Sequence, residues 1–166
     1  MLQSKLNSAS LNPVGSQPQV GRRIRDYELR DAEGRVVEFS DFRGQRNLAI
    51  LFAGHRENGE SLAARILPFE SELIEDDAKV LVIVADGPAW VSGSESVLIL
   101  SDPASEAHHD VGAKEPVLFI TDRFGEVFAR LEGQELEGTR GPAELLTWLD
   151  FINAQCPECE PPEMPA

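Results

Sequence analysis

The chain has 166 residues, 42% of them apolar, enough for one domain with a sizeable core. Its 29 acidic residues against 15 basic ones leave a formal net charge of −14, which repels nucleic acid and anionic membrane and argues against both as partners. No window has the unbroken apolar length of a membrane span. In chain order, the opening residues 1–19 contain a lone lysine and no apolar h-region. Neither a secretory signal nor a membrane anchor is expected there, the stretch reads as a flexible polar arm, and a cytoplasmic location follows.

The runs "DYELRD" and "RVVEFS" flank "DAEG" and predict a hairpin turning at Glu33 and Gly34. "NLAILF" reads as a buried strand. From Gly59 to Asp77 apolar residues recur at helical spacing, with Pro68 as an expected kink. "KVLVIVA" and "SVLILSD" are apolar runs without alternation, the pattern of parallel strands covered on both faces. "SEAHHDVG" predicts a short helix capped by Gly112. "PVLFIT" and "EVFARLE", joined through "DRFG", predict an antiparallel hairpin. "GPAELLTWLDFINAQ" is an amphipathic helix with Pro142 in its first turn and Leu145, Leu146, Trp148, Leu149 and Ile152 inward. Strands alternating with helices and ending in a hairpin predict an α/β domain with a mixed sheet over residues 20–154, followed by a tail from 155 to 166.

Two segments of this pattern resemble a known family. The positions Gly21, Tyr27, Leu29, Asp31, Gly34, Val36, Val37, Ser40, Asp41, Phe42 and Gly44, leading into the first buried strand, resemble the opening of redoxins and peroxiredoxins of the alkyl hydroperoxide reductase/thiol-specific antioxidant type. Pro116, Phe119, Asp122 and Gly125 resemble that family's proline-led strand and its Asp-x-x-Gly turn. The resemblance implies a thioredoxin-like fold: a central mixed β-sheet with helices on both faces and an extra N-terminal hairpin. Activity is a separate matter, because chemistry resides in a site rather than in a fold.

In the resembled family the segment after the central strand carries a Cys-x-x-Cys pair or a single peroxide-reducing cysteine at a helix N-terminus, where the dipole lowers the thiol pKa. That segment here is "FAGHRENGESL". The dithiol positions fall on Glu57 and Glu60 and the peroxidatic position on Ser61, and no cysteine precedes Cys156. A serine hydroxyl has neither the accessible anion nor the redox chemistry of sulfur. His55 with Ser61 raises the pattern of base and nucleophile, and His55 with Glu57 that of two metal ligands. The plainer reading, preferred here, is a solvated loop and helix start with Asn58 or Glu60 compensating the terminus. His108 and His109 diverge by about 100° on a helix and are expected to be surface or half-buried. A proline entering the later strand is often cis in the resembled family and lies beside the active-site sulfur. The Pro116 bond is therefore expected to be cis, facing an emptied site near Ser61; the alternative is a trans proline at a strand start.

The tail, "AQCPECEPPEMPA", holds both cysteines of the chain, Cys156 and Cys159. Cys-x-x-Cys suits a redox dithiol or half of a zinc site, which a second chain would complete. The preceding helix C-terminus and the glutamates at 158, 160 and 163 oppose thiolate formation, and Pro157 stiffens the turn. Three functions follow, in order: a non-catalytic thioredoxin-fold module serving a protein partner or a homodimer; a thiol-disulfide or antioxidant oxidoreductase cycling Cys156 and Cys159; and metal-bridged assembly through a zinc ion held by those residues. No other cofactor is expected.

Overall fold

A computed structural model describes residues 17–155. Both cysteines, most of the expected N-terminal arm and all but the first residue of the expected tail lie outside the described residues.

All five long apolar runs are strands: β3 (Asn47–Gly54), β4 (Ala78–Val84), β5 (Val97–Ser101), β6 (Val117–Thr121) and β7 (Val127–Glu132). The N-terminal hairpin is present as β1 (Leu29–Arg30) and β2 (Val36–Val37). It is shorter than its sequence runs because Asp31 organises the turn, its Oδ1 accepting the amides of Glu33 and Arg35 at 2.9 Å each. Beyond β2 the "FSDF" segment is a 3-10 helix rather than more strand, closed by Asp41, which accepts the Glu38 amide at 2.9 Å. The seven strands form one sheet in the order β2-β1-β5-β4-β3-β6-β7. β3 pairs in parallel with β4, and β4 with β5, while β6 runs antiparallel to both β3 and β7. The expected mixed α/β sheet is therefore observed.

The expected helix from 59 to 77 begins earlier and is broken in the middle. It comprises α1 (Arg56–Ile66), a 3-10 turn at Leu67–Phe69 and α2 (Glu70–Glu75). The break falls at Pro68, which has no N–H to continue the ladder. α3 (Glu106–Val111) is the short histidine-bearing helix and α4 (Arg140–Asn153) closes the domain.

Side chains alternate across the sheet and build two cores. On one face Leu51, Val82, Ile99 and Leu118 meet Leu62, Ile66, Leu73, Leu145 and Leu149 from α1, α2 and α4. On the other, Ile50, Phe52, Ile83 and Phe119 meet Ala107 and Val111 of α3 and Ile24, Leu29 and Phe39 of the N-terminal segment. Strands buried on both faces explain the unbroken apolar runs of β3 and β4. Among the described residues no peptide bond is cis. The Glu115–Pro116 bond is trans, contrary to expectation and in line with the ordinary preference of X–Pro bonds; Pro116 stands just before β6, where the ladder needs no N–H from it.

Candidate functional site

The site expected from the sequence lies where β3 leaves the sheet. Gly54 turns the chain with a φ of 74°, a backbone shape that L side chains resist. Its carbonyl accepts the Ala85 amide at 2.7 Å. His55 follows in extended conformation as the residue before α1, and its side chain makes no capping bond. The cap comes from another element. Asp86, just after β4, accepts the Arg56 amide on Oδ1 at 2.6 Å, and its Oδ2 lies 3.6 Å from His55 Nδ1. A carboxylate thus satisfies an orphan donor at the positive end of the helix.

This corrects the expectation that Asn58 or Glu60 compensates the helix start. Asn58 instead donates from Nδ2 to the Ala53 carbonyl at 3.3 Å, and Glu60 Oε2 accepts from Arg56 Nε at 3.0 Å. The Arg56 guanidinium also lies 4.4 Å from the Trp90 ring centroid, which ties α1 to the loop after β4. Gly59 allows the close approach: a Cβ there would meet Val84 at 2.9 Å and Val82 at 3.2 Å. Glu57, Glu60 and Ser61 are exposed along α1. His55, 80% exposed at its side chain, has Asp86 as its ion-pair partner, and no hydrogen bond among the described residues joins it to Ser61. The base-and-nucleophile pattern is not assembled. Among the described residues no group of three or more His, Cys, Asp or Glu is placed to hold a metal. The register Phe52↔Val117 sets Pro116 at this same end of β3.

The polar side chain that organises this end is His108, which was expected at the surface. It is 5% exposed, because α3 packs its inner face on β3. Its Nε2 accepts the Gly54 amide at 3.0 Å, so the ring proton is on Nδ1, which donates to Asp102 Oδ2 at 2.8 Å. The Phe52 ring meets the imidazole edge to face, centroids 5.3 Å apart. Asp102, itself 3% exposed, also accepts the backbone amides of Ala107 and His108 at 3.2 and 2.9 Å. Burial alone would raise this carboxyl; the bonds from the His108 ring and from the two amides outweigh it and hold Asp102 below the usual carboxylate range. His109, the neighbour, is exposed as expected. Two adjacent histidines on one helix had to diverge, but only the packing of α3 selects which one turns inward.

A second tie holds α3 from the N-terminal side. The Tyr27 hydroxyl donates to Asp110 Oδ2, and Arg25 pairs with the same oxygen at 3.2 Å. Burial first, then the bond to Asp110 and its charge, push the Tyr27 phenol above its usual value, so it stays a donor. The sequence signal for the His108 network was an aspartate six residues before a histidine, a spacing too common to single out.

No protein-family model and no curated protein matches the sequence. Solved structures do resemble it. Peroxidoxin BcpB from Mycobacterium tuberculosis is 17% identical, with a TM-score of 0.67, the match covering 82% of this chain and 99% of that one. A protein assigned as the thiol:disulfide interchange protein DsbE of Chlorobium tepidum is 19% identical with a TM-score of 0.61, covering 83% and 98%. A thiol peroxidase from Chromobacterium violaceum is 15% identical with a TM-score of 0.62, covering 82% and 87%. At such identities the likeness establishes the fold alone, and that fold is thioredoxin-like.

Proposed function

We propose that this chain is a redoxin-type protein without the sulfur chemistry of its look-alikes, acting as a non-catalytic binding or structural module. The observation that carries this reading is the start of α1. There the Arg56 amide is bonded to the Asp86 carboxylate and no cysteine is present, so a fixed anion occupies the helix end at which the resembled family sets its thiolate. The His108 network supports the same reading. The buried imidazole spends both nitrogens on Asp102 and Gly54, which makes it a brace for the loop. A protein partner or a second copy of the chain is the expected ligand class, in a cytoplasmic setting; among the described residues no helix is long and apolar enough to cross a membrane.

The test is turnover of hydroperoxide and of an insulin disulfide by the full chain beside its Cys156→Ser variant. Rates at the level of an exposed thiol, unchanged by the substitution, are expected. Rapid turnover abolished by Cys156→Ser would replace this reading with the oxidoreductase one, in which Cys156 and Cys159 cycle.

A further inference from the structure

The chain carries its positive charge almost wholly as arginine, with lysine only at positions 5, 79 and 114. Arginine keeps its charge, whereas a lysine amine that is buried or crowded by another cation loses its proton more readily and becomes a nucleophile. Lys5 lies outside the described residues and Lys114 in the bend before β6; Lys79 is the second residue of β4.

Alternation along β4 puts Lys79 on the same face as Leu81 and Ile83, which belong to the core that holds Phe52 and Phe119. It pairs in register with Leu48 of β3. Arg46 stands two residues before Leu48, its amide bonded to the Phe42 carbonyl at 3.0 Å, and the Lys79 amine lies 5.7 Å from the Phe42 ring centroid. Two cations therefore share one aromatic residue at the rim of an apolar face. Among the described residues Lys79 makes no ion pair, and the one that Arg46 makes is a 3.6 Å contact with Asp77, exposed on both sides. Burial first, and then the charge of Arg46, lower the Lys79 amine below its usual value; Glu95 pulls the other way with less effect.

We propose that Lys79 is a carbamate-forming site for carbon dioxide, its neutral amine adding to the gas and the product being held by Arg46. In this step the nitrogen lone pair forms a bond to carbon, one C=O π pair moves onto oxygen, and the amine proton passes to water. Nothing is oxidised or reduced. What selects the electrophile is the change of charge: before the step a cation faces a cation, and after it a carboxylate-like anion faces a guanidinium whose fork matches its two oxygens. A neutral acyl group would relieve the repulsion without gaining the pair. Glu95 would repel the anion, but its pull on the amine is already weaker than the push of Arg46. The half-buried position of Lys79 also admits a small linear molecule more readily than a bulky acyl donor.

The test equilibrates the full chain with 13C-labelled bicarbonate and carbon dioxide near neutral pH, traps carbamates as ethyl esters with triethyloxonium ion, and reads Lys5, Lys79 and Lys114 by mass spectrometry. Label that saturates at Lys79 is expected, several-fold above the other two lysines. Arg46→Gln should lower it roughly 3- to 10-fold, because two charge effects of the same sign are lost at a partly exposed site. The proposal is overturned if Lys79 takes no label, if Lys5 or Lys114 takes as much, or if folded Arg46→Gln keeps the wild-type level. Should that variant misfold, the ranking of the three lysines in the wild-type chain decides alone.

Discussion

The two ends of β3 differ in what their polar groups are doing. At the Gly54 end, where the resembled family keeps its chemistry, the polar groups bond inward: Asp86 to the Arg56 amide, His108 to the Gly54 amide and to Asp102, Asn58 to the Ala53 carbonyl. At the Asn47 end, among the described residues, Arg43 and Arg123 make no ion pair, and the Arg123 guanidinium lies 5.3 Å from the Phe124 ring centroid. At the Gly54 end, then, hydrogen bonds within the chain take up these polar groups.

The contrast predicts that substitutions at the Gly54 end cost stability and substitutions of the two arginines near the Asn47 end do not. Asp102→Ala should have the largest effect, about 3–5 kcal/mol in urea unfolding, because it strands the buried His108 ring and two amides. Gly59→Leu should cost about 1–3 kcal/mol, since its side chain would be driven into Val84 and Val82. Asp86→Ala should cost about 1 kcal/mol, the usual value of a helix cap. Arg43→Gln should stay within about 0.5 kcal/mol of wild type, as surface changes do. A loss of several kcal/mol there would break the comparison, since the arginines would then be structural.

The pH dependence sharpens it further. Asp102 has a folded pKa below its unfolded value, so its contribution to stability is complete above the ordinary carboxylate pKa of about 3.9. That contribution is lost as pH falls through the lowered folded value. The stability gap between wild type and Asp102→Asn should therefore be constant at mildly acidic pH and narrow only below about pH 4. A gap that closes well above that range would mean that the carboxylate is not held by His108 as described.

The smallest expected signal concerns the tail. Slow alkylation of Cys156 and Cys159 by iodoacetamide near neutral pH is expected, and any zinc in the purified protein should amount to about one ion per two chains, as a shared four-thiolate site requires. Fast alkylation with a midpoint well below that of a free thiol would show an activated cysteine and favour the oxidoreductase reading.

The sequence by itself determined the five long strands, their order along the chain and the absence of cysteine from the segment directly after β3. Apolar runs such as "NLAILF" and "KVLVIVA" have one stable use, between two layers of side chains, and Pro68 could only interrupt a helix. Those are local or compositional facts, and they survive folding unchanged. What the tertiary structure decided were the partners. Asp86 lies 30 residues from Arg56 and His108 lies 54 from Gly54, separations across which no sequence pattern carries pairing. Which of His108 and His109 faces inward was settled by how α3 lies on the sheet. The meeting of the turn at residues 42–46 with the turn between β6 and β7 arose in the same way. Arg43 and Arg123 are far apart along the chain and ordinary in composition, and they became neighbours only because β6 runs antiparallel to β3 and returns its turn to the place where β3 begins.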